Sequence, residues 1–135
     1  MLFTRKAAVL TAGIALVAGL GLTGTTAQAA GTGVLACSTS DGVTKRTSTV
    51  DTIQIELRYS PSTRCGWGRI YAADPGDMVW VDRSSNGGSS WTALGVTTVQ
   101  SGTDTHTPPF NDAGYLMRAC AKNDSTQHVH CTGWY

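Results

Sequence analysis

The stretch IQIELRYSPSTRCGWGRIY (Ile53–Tyr71) sets the expected fold of this chain. In its first half, apolar and polar residues alternate, so apolar side chains point to one face of a strand and polar ones to the other. Ser60-Pro61-Ser62 interrupts the pattern because proline has no amide proton with which to continue a central ladder. Pairing can resume over residues 64–71. The stretch therefore predicts two half-buried strands separated by a short break.

Strand and turn signals continue along the chain. Asp74-Pro75-Gly76-Asp77 predicts a turn, and the apolar segment Met78–Asp82 after it predicts a strand covered on both faces. The Asn-Gly pair within Ser84–Ser90 favours a hairpin whose returning strand is Trp91–Gln100. Residues 101–114, rich in Gly, Thr and Pro, predict a surface loop. We expect an all-β fold, a compact barrel or sandwich with little or no helix.

Residues 1–29 have the pattern of a cleaved secretory signal peptide. Arg5 and Lys6 precede an apolar run of 16 residues, and Ala27-Gln28-Ala29 supplies the small residues of a cleavage site after Ala29. The run is shorter than the roughly 20 residues that span a bilayer, so a retained anchor is the weaker alternative. Residues 30–135 then form a single secreted β domain, with no membrane segment after cleavage. Its eight basic and nine acidic residues exclude the strongly basic face of a nucleic-acid binder.

Four cysteines, all in the exported part, predict two disulfides. Tyr115–Lys122 and Gln127–Tyr135, on either side of a polar tip, predict a last hairpin. Centring its turn between Ser125 and Thr126 places Cys120 opposite Cys131, close enough for a bridge. Cys37 and Cys65 then pair by exclusion. Val34-Leu35-Ala36-Cys37 also resembles a lipid-attachment box, but about fifteen residues separate it from the apolar run, and lipidation would leave three cysteines.

Three features could carry chemistry. His128 and His130 alternate on one predicted strand, roughly 6.5–7 Å apart, which makes a metal half-site that still needs another ligand. Two exposed polar residues are the simpler interpretation, so no metal or other cofactor is assigned to them. Arg64 beside Cys65 resembles the basic residue that small inhibitors offer to trypsin-like proteases. For catalysis, the chain has no G-x-S-x-G or S-x-x-K motif, and Glu56 is its single glutamate.

Four tryptophans are many for so short a chain: Trp67, Trp80, Trp91 and Trp134. A row of exposed indoles would suit a carbohydrate-binding face. Because the chain has only two phenylalanines, we expect two or three of the tryptophans to fill the interior instead.

The chain resembles a family of small exported actinobacterial proteins known only as a domain of unknown function. The resemblance rests on Leu57-Arg58-Tyr59-Ser60, then a cysteine, Trp67-Gly68-Arg69 and Pro75-Gly76-Asp77, and it extends through Ala119-Cys120 to the terminal Cys131–Tyr135. The family's cysteine precedes the tryptophan by four residues, a position held here by Thr63. Some members join a helix-turn-helix domain through a membrane segment, which implies an outward-facing sensing or binding module.

The sequence thus favours a secreted or cell-envelope-associated, non-catalytic binding module with an unknown extracellular or cell-wall ligand. One alternative is a secreted hydrolase or metal-dependent enzyme that uses the His128/His130 face. Another is a protease inhibitor that presents Arg64.

Overall fold

The computed structural model describes residues 36–135, so the predicted signal peptide and its cleavage after Ala29 lie outside the described residues. Within this part the chain forms strands and no helix. The nine strands are β1 (Val43–Val50), β2 (Ile53–Ser60), β3 (Cys65–Tyr71), β4 (Met78–Ser84), β5 (Thr92–Thr98), β6 (Thr105–His106), β7 (Phe110–Asn111), β8 (Leu116–Lys122) and β9 (Val129–Cys131).

The strands form two antiparallel sheets. Sheet A has the order β1-β2-β3-β6, and β7 also pairs with β3. Sheet B has the order β5-β4-β8-β9. No strand pairing joins the two sheets within residues 36–135, so the fold is a sandwich and not a closed barrel. The all-β prediction is confirmed.

The alternation in β2 produces the core of the sandwich. Ile53, Ile55 and Leu57 are fully buried, while the residues between them are only partly covered. The inner face of sheet B contributes further buried side chains, including Val79, Val81, Met117, Ala119 and Ala121. The interior is therefore built from aliphatic side chains of both sheets.

Glycine in β3 allows the two sheets to approach each other. A Cβ atom at Gly68 would lie 3.1 Å from Val79 Cγ2 and 3.3 Å from Ala119 Cβ, both on the opposite sheet. At Gly66 it would lie 2.7 Å from Met117 Sδ. The CGWG sequence thus places two glycines at the tightest inter-sheet contacts and turns Trp67 toward the outside of sheet A.

Both disulfides are present. Cys120 lies directly opposite Cys131 in the β8–β9 ladder, as the predicted hairpin register requires, and the two are bonded. Cys37 is bonded to Cys65, so its sulfur is not free for acylation. Thr63, where the resemblance led us to expect a cysteine, accepts a hydrogen bond from Ser38 N at 3.2 Å and so contacts the segment that carries Cys37.

The expectation of a plain surface loop over residues 101–114 is wrong in part. The segment contains β6 and β7, which pair with β3. Between them Thr107 is fully buried: its amide donates to Gly68 O at 2.9 Å, and its Oγ1 accepts from Gly68 N at 3.1 Å. The segment covers an edge of sheet A that would otherwise expose unpaired backbone groups.

Candidate functional site

The outer face of sheet B, which points away from the core, carries the most distinctive group of side chains. Directly paired residues project to the same side of a sheet. The register places Trp80 beside Cys120, and Asp82 beside Arg118. The outer face therefore combines a tryptophan, a disulfide and an ion pair in neighbouring rows.

Asp82 is the buried anchor of this face. Its exposed fraction is only 3%. Arg118 Nε donates to Oδ2 at 2.9 Å, and Trp80 Nε1 donates to Oδ1 at 3.1 Å. A buried carboxylate is tolerated only when it is paired and hydrogen-bonded, so both contacts are needed to hold it there.

Asp82 is also close to Cys120 and Cys131, and the three form the one cluster of potential metal-ligand atoms found among residues 36–135. Both sulfurs belong to the Cys120–Cys131 disulfide. A metal-binding cysteine ligates as a thiolate, so this cluster is not a metal site. The 3.3 Å approach of Cys120 Sγ to Asp82 Oδ2 is a contact and not a hydrogen bond, because a disulfide sulfur carries no proton.

The Arg118 guanidinium, which is bonded to Asp82, also contacts two indoles. Its Cζ is 4.5 Å from the ring centroid of Trp91 and 4.5 Å from that of Trp134. The two indole centroids are 5.9 Å apart, and the rings are inclined at 59°. We call these three residues the Trp–Arg stack. Cation–π attraction to the two inclined indoles and the ion pair with Asp82 hold the guanidinium in one position.

The Trp–Arg stack is supported from two more directions. Arg46 Nε donates to Trp134 O at 3.1 Å. In the Ser84–Ser90 turn, Gly88 has φ +93°, and a Cβ there would lie 3.1 Å from Trp134 Nε1. The turn backbone thus packs directly against this indole, which requires glycine at that position.

The tryptophans are distributed differently from the prediction. Trp67 is buried, whereas Trp80 and Trp134 are only partly covered, and Trp91 is 50% exposed. The expectation that two or three fill the interior is wrong, because aliphatic residues and methionine already fill the space between the sheets. Three of the four indoles contact the Asp82–Arg118 pair on the outer face of sheet B instead.

His128 and His130 lie at the edge of sheet B that faces β1. His128 Nδ1 is 3.0 Å from Asp51 Oδ1, and His130 Nδ1 is 2.7 Å from the carbonyl oxygen of Thr49. Asp51 Oδ2 also accepts from Asn123 Nδ2 and Thr126 Oγ1. The hydrogen bond from His128 is the main cause that holds the pKa of Asp51 below its ordinary value.

Arg64 lies in a closed turn. Its φ is +55°, its amide donates to Ser60 O at 2.8 Å, and its carbonyl accepts from Asp112 N at 2.9 Å. A protease takes a peptide in extended form and hydrogen-bonds to its free backbone groups. Both backbone groups of Arg64 are already used, and its conformation is left-handed, so the geometry argues against an inhibitory loop.

Asp112, which sequence reasoning did not single out, is a buried carboxyl group. It is 7% exposed, and its Oδ1 has no hydrogen-bond partner within residues 36–135. Burial raises its pKa to about 7, against the opposing charges of Arg83 and Arg64. Carboxyl groups with a raised pKa are common at functional sites. For Asp112 the main cause is burial, so the raised pKa does not by itself mark a site.

Glu56 is the remaining candidate for acid–base chemistry. It lies on the outer face of sheet A, with Arg69 Nη1 at 3.3 Å and Arg58 Nη1 at 3.8 Å from its Oε1. A glycoside hydrolase of the usual kind needs two carboxyl groups across the scissile bond. Glu56 is instead paired with two arginines, an arrangement typical of a surface ion-pair network.

Comparison with known proteins gives one match. Residues 24–122 match the family described as "Protein of unknown function (DUF2690)". The chain belongs to this family. No curated protein and no solved structure gives a significant match. The family match ends at Lys122, so the predicted similarity over Cys131–Tyr135 lies outside it.

Two further findings bear on the site. No enclosed pocket is found among the residues that the structure describes. The same residues include no helix with the length and hydropathy that crossing a membrane requires.

The sequence offered no signal for the centre of the Trp–Arg stack. Asp82 and Arg118 are 36 residues apart, and only the β4–β8 register brings them together. The number of tryptophans was the one signal that pointed to this face.

Proposed function

We propose that this protein is an exported actinobacterial binding module, without catalytic activity, that holds a glycan of the cell envelope on the Trp–Arg stack. Export is supported by the predicted signal peptide and by two disulfides, which persist in oxidising compartments. The family contributes no activity of its own.

The observation that carries the proposal is a tryptophan that is both exposed and fixed. Half of the Trp91 surface faces solvent, yet its ring rests on a guanidinium that is bonded to a buried carboxylate. A rigid side chain loses little conformational entropy when a ligand binds. An exposed indole offers a flat apolar surface, which suits the C–H face of a sugar ring.

Arg118 adds polar recognition beside that surface. Its side chain is 21% exposed, and only its Nε donates to Asp82. Neither Nη atom donates a hydrogen bond to any of residues 36–135 in the structure. Hydroxyl or acidic oxygens of a glycan could accept from these donors while a sugar ring stacks on Trp91.

The test is co-sedimentation of the purified, oxidised protein with insoluble cell-wall polysaccharide, compared with Trp91→Ala. We expect the variant to bind at least about tenfold more weakly, a loss of roughly 1.4 kcal/mol. Val96→Ala is the matched control, because Val96 is also exposed and lies on β5, the strand that directly follows Trp91, but outside the stack. Equal binding by the wild type and Trp91→Ala, or no binding by either, overturns the proposal.

A further inference from the structure

We propose that His128 and His130, the histidine pair, bind one divalent transition-metal ion, Cu²⁺ or Zn²⁺, through their two Nε2 atoms. This site is separate from the Trp–Arg stack and does not depend on the glycan proposal. The sequence showed only that the two histidines alternate. The proposal rests on the structure, which shows what each Nδ1 atom contacts.

Those partners fix the tautomer of each ring. The carbonyl oxygen of Thr49 can only accept, so His130 Nδ1 must carry the proton that bonds them. Asp51 Oδ2 accepts from Asn123 Nδ2 and Thr126 Oγ1, and a carboxylate oxygen accepts, so His128 Nδ1 is likewise the donor to Oδ1. When the two imidazoles are neutral, the lone pair of each therefore resides on Nε2.

This arrangement is the one that metal-binding histidines have. In such sites the second ring nitrogen donates to a carboxylate or a backbone carbonyl, which orients the ring and increases the basicity of the ligating nitrogen. The histidine pair has one partner of each kind: Asp51 for His128 and Thr49 for His130. Neither Nε2 atom has a hydrogen-bond partner within residues 36–135.

Both side chains also reach the same hairpin, β1–β2, through their Nδ1 atoms. They come from alternate positions at one sheet edge, and their partners are two residues apart on the β1–β2 hairpin. Alternate residues are separated by roughly 6.5–7 Å. Both histidines are exposed, so the rings can tilt toward an ion held at about 2.0–2.1 Å from each nitrogen, with water in the remaining positions.

Cu²⁺ is the better probe, because imidazole sites bind it more tightly than Zn²⁺. The purified, oxidised protein is titrated with Cu²⁺ at pH 8 by calorimetry, and broadening of the histidine ring signals is followed by NMR. We expect one ion per chain and simultaneous loss of the His128 and His130 signals. Zn²⁺ should bind at the same site more weakly.

The variants separate a shared site from two independent ones. His128→Ala and His130→Ala should each lower the Cu²⁺ affinity at least about tenfold, because either change removes the chelate. The double variant should then be little weaker than a single one. His106→Ala is the matched control: His106 is exposed and its Nδ1 also bonds a carbonyl, that of Thr107 at 2.9 Å, but it stands alone.

Two ions per chain, with each single variant retaining one of them at unchanged affinity, would show independent imidazoles and overturn the proposal. An equal effect of His106→Ala would do the same. Far-UV circular dichroism and intact mass confirm that each variant keeps its fold and both disulfides.

Discussion

We expect the buried carboxyl group of Asp112 to make the free energy of unfolding fall as pH rises from about 4 to about 7. The pKa of Asp112 is about 7 in the folded protein, against an ordinary value of 3.8. Between these values the unfolded chain has released the proton while the folded protein still holds it. Because the folded state binds more protons, raising the pH favours unfolding.

The size of the effect follows from the difference in pKa. The two pKa values differ by about 3, and each pKa unit corresponds to 1.36 kcal/mol. Burial of the ionised Asp112 therefore lowers the free energy of unfolding by about 4 kcal/mol at most, and nearly all of this loss is present at pH 7. Well below pH 3.8 the group is protonated in both states, and the cost disappears. The physical cause is that Asp112 is 7% exposed with Oδ1 unpaired, so burial outweighs the attraction of Arg83 and Arg64.

The perturbation is Asp112→Asn, which removes the charge and keeps the shape. Urea unfolding is followed by tryptophan fluorescence between pH 4 and pH 8 for both proteins. The free energy of unfolding of the variant, relative to the wild type, should increase by up to about 4 kcal/mol across this range. Asp104→Asn is the control, since Asp104 is an exposed aspartate near Arg69 and should give a nearly flat difference.

A variant that loses stability relative to the wild type as the pH rises would refute this reasoning. Such a result would mean that Arg83 and Arg64 stabilise an ionised Asp112 by more than its burial costs. The carboxyl ¹³C shift of Asp112, measured against pH, decides the same question independently of unfolding.

Two further predictions concern packing and the ion pair. Gly68→Ala should lower the free energy of unfolding by about 1–3 kcal/mol, because the added methyl group meets Val79 and Ala119 on the opposite sheet. Gly133→Ala is the control: its added Cβ comes no closer than 3.9 Å to atoms beyond its chain neighbours, so the free energy of unfolding should change little. Arg118→Ala should lower it by about 3–5 kcal/mol in urea unfolding, because it leaves Asp82 buried without its cation. Arg118→Lys should restore part of this stability but not the stacking with Trp91. If Arg118→Ala is as stable as the wild type, the Asp82–Arg118 ion pair does not have the role assigned to it.

Local sequence patterns determined β2 and the last hairpin, whereas β1 (Val43–Val50) was not predicted. Side-chain alternation in β2 has a period of two residues, and the sequence between Cys120 and Cys131 defines a single symmetric turn. Both are properties of neighbouring residues, so the buried face of β2 and the Cys120–Cys131 register could be predicted without knowing the rest of the fold. The pairing of β6 and β7 with β3 could not be predicted, because a strand of two residues has no periodic pattern.

Only the tertiary structure decided what the side chains do. Asp82 meets Arg118 because β4 pairs with β8, and His128 meets Asp51 because the β8–β9 turn lies against the β1–β2 turn. Asp112 acquires its raised pKa from its burial in the folded protein. Alternation and turn chemistry act over a few residues. The Asp82–Arg118 and His128–Asp51 contacts join segments 36 and 77 residues apart, and they depend on which strands pair and which sheet edges pack together.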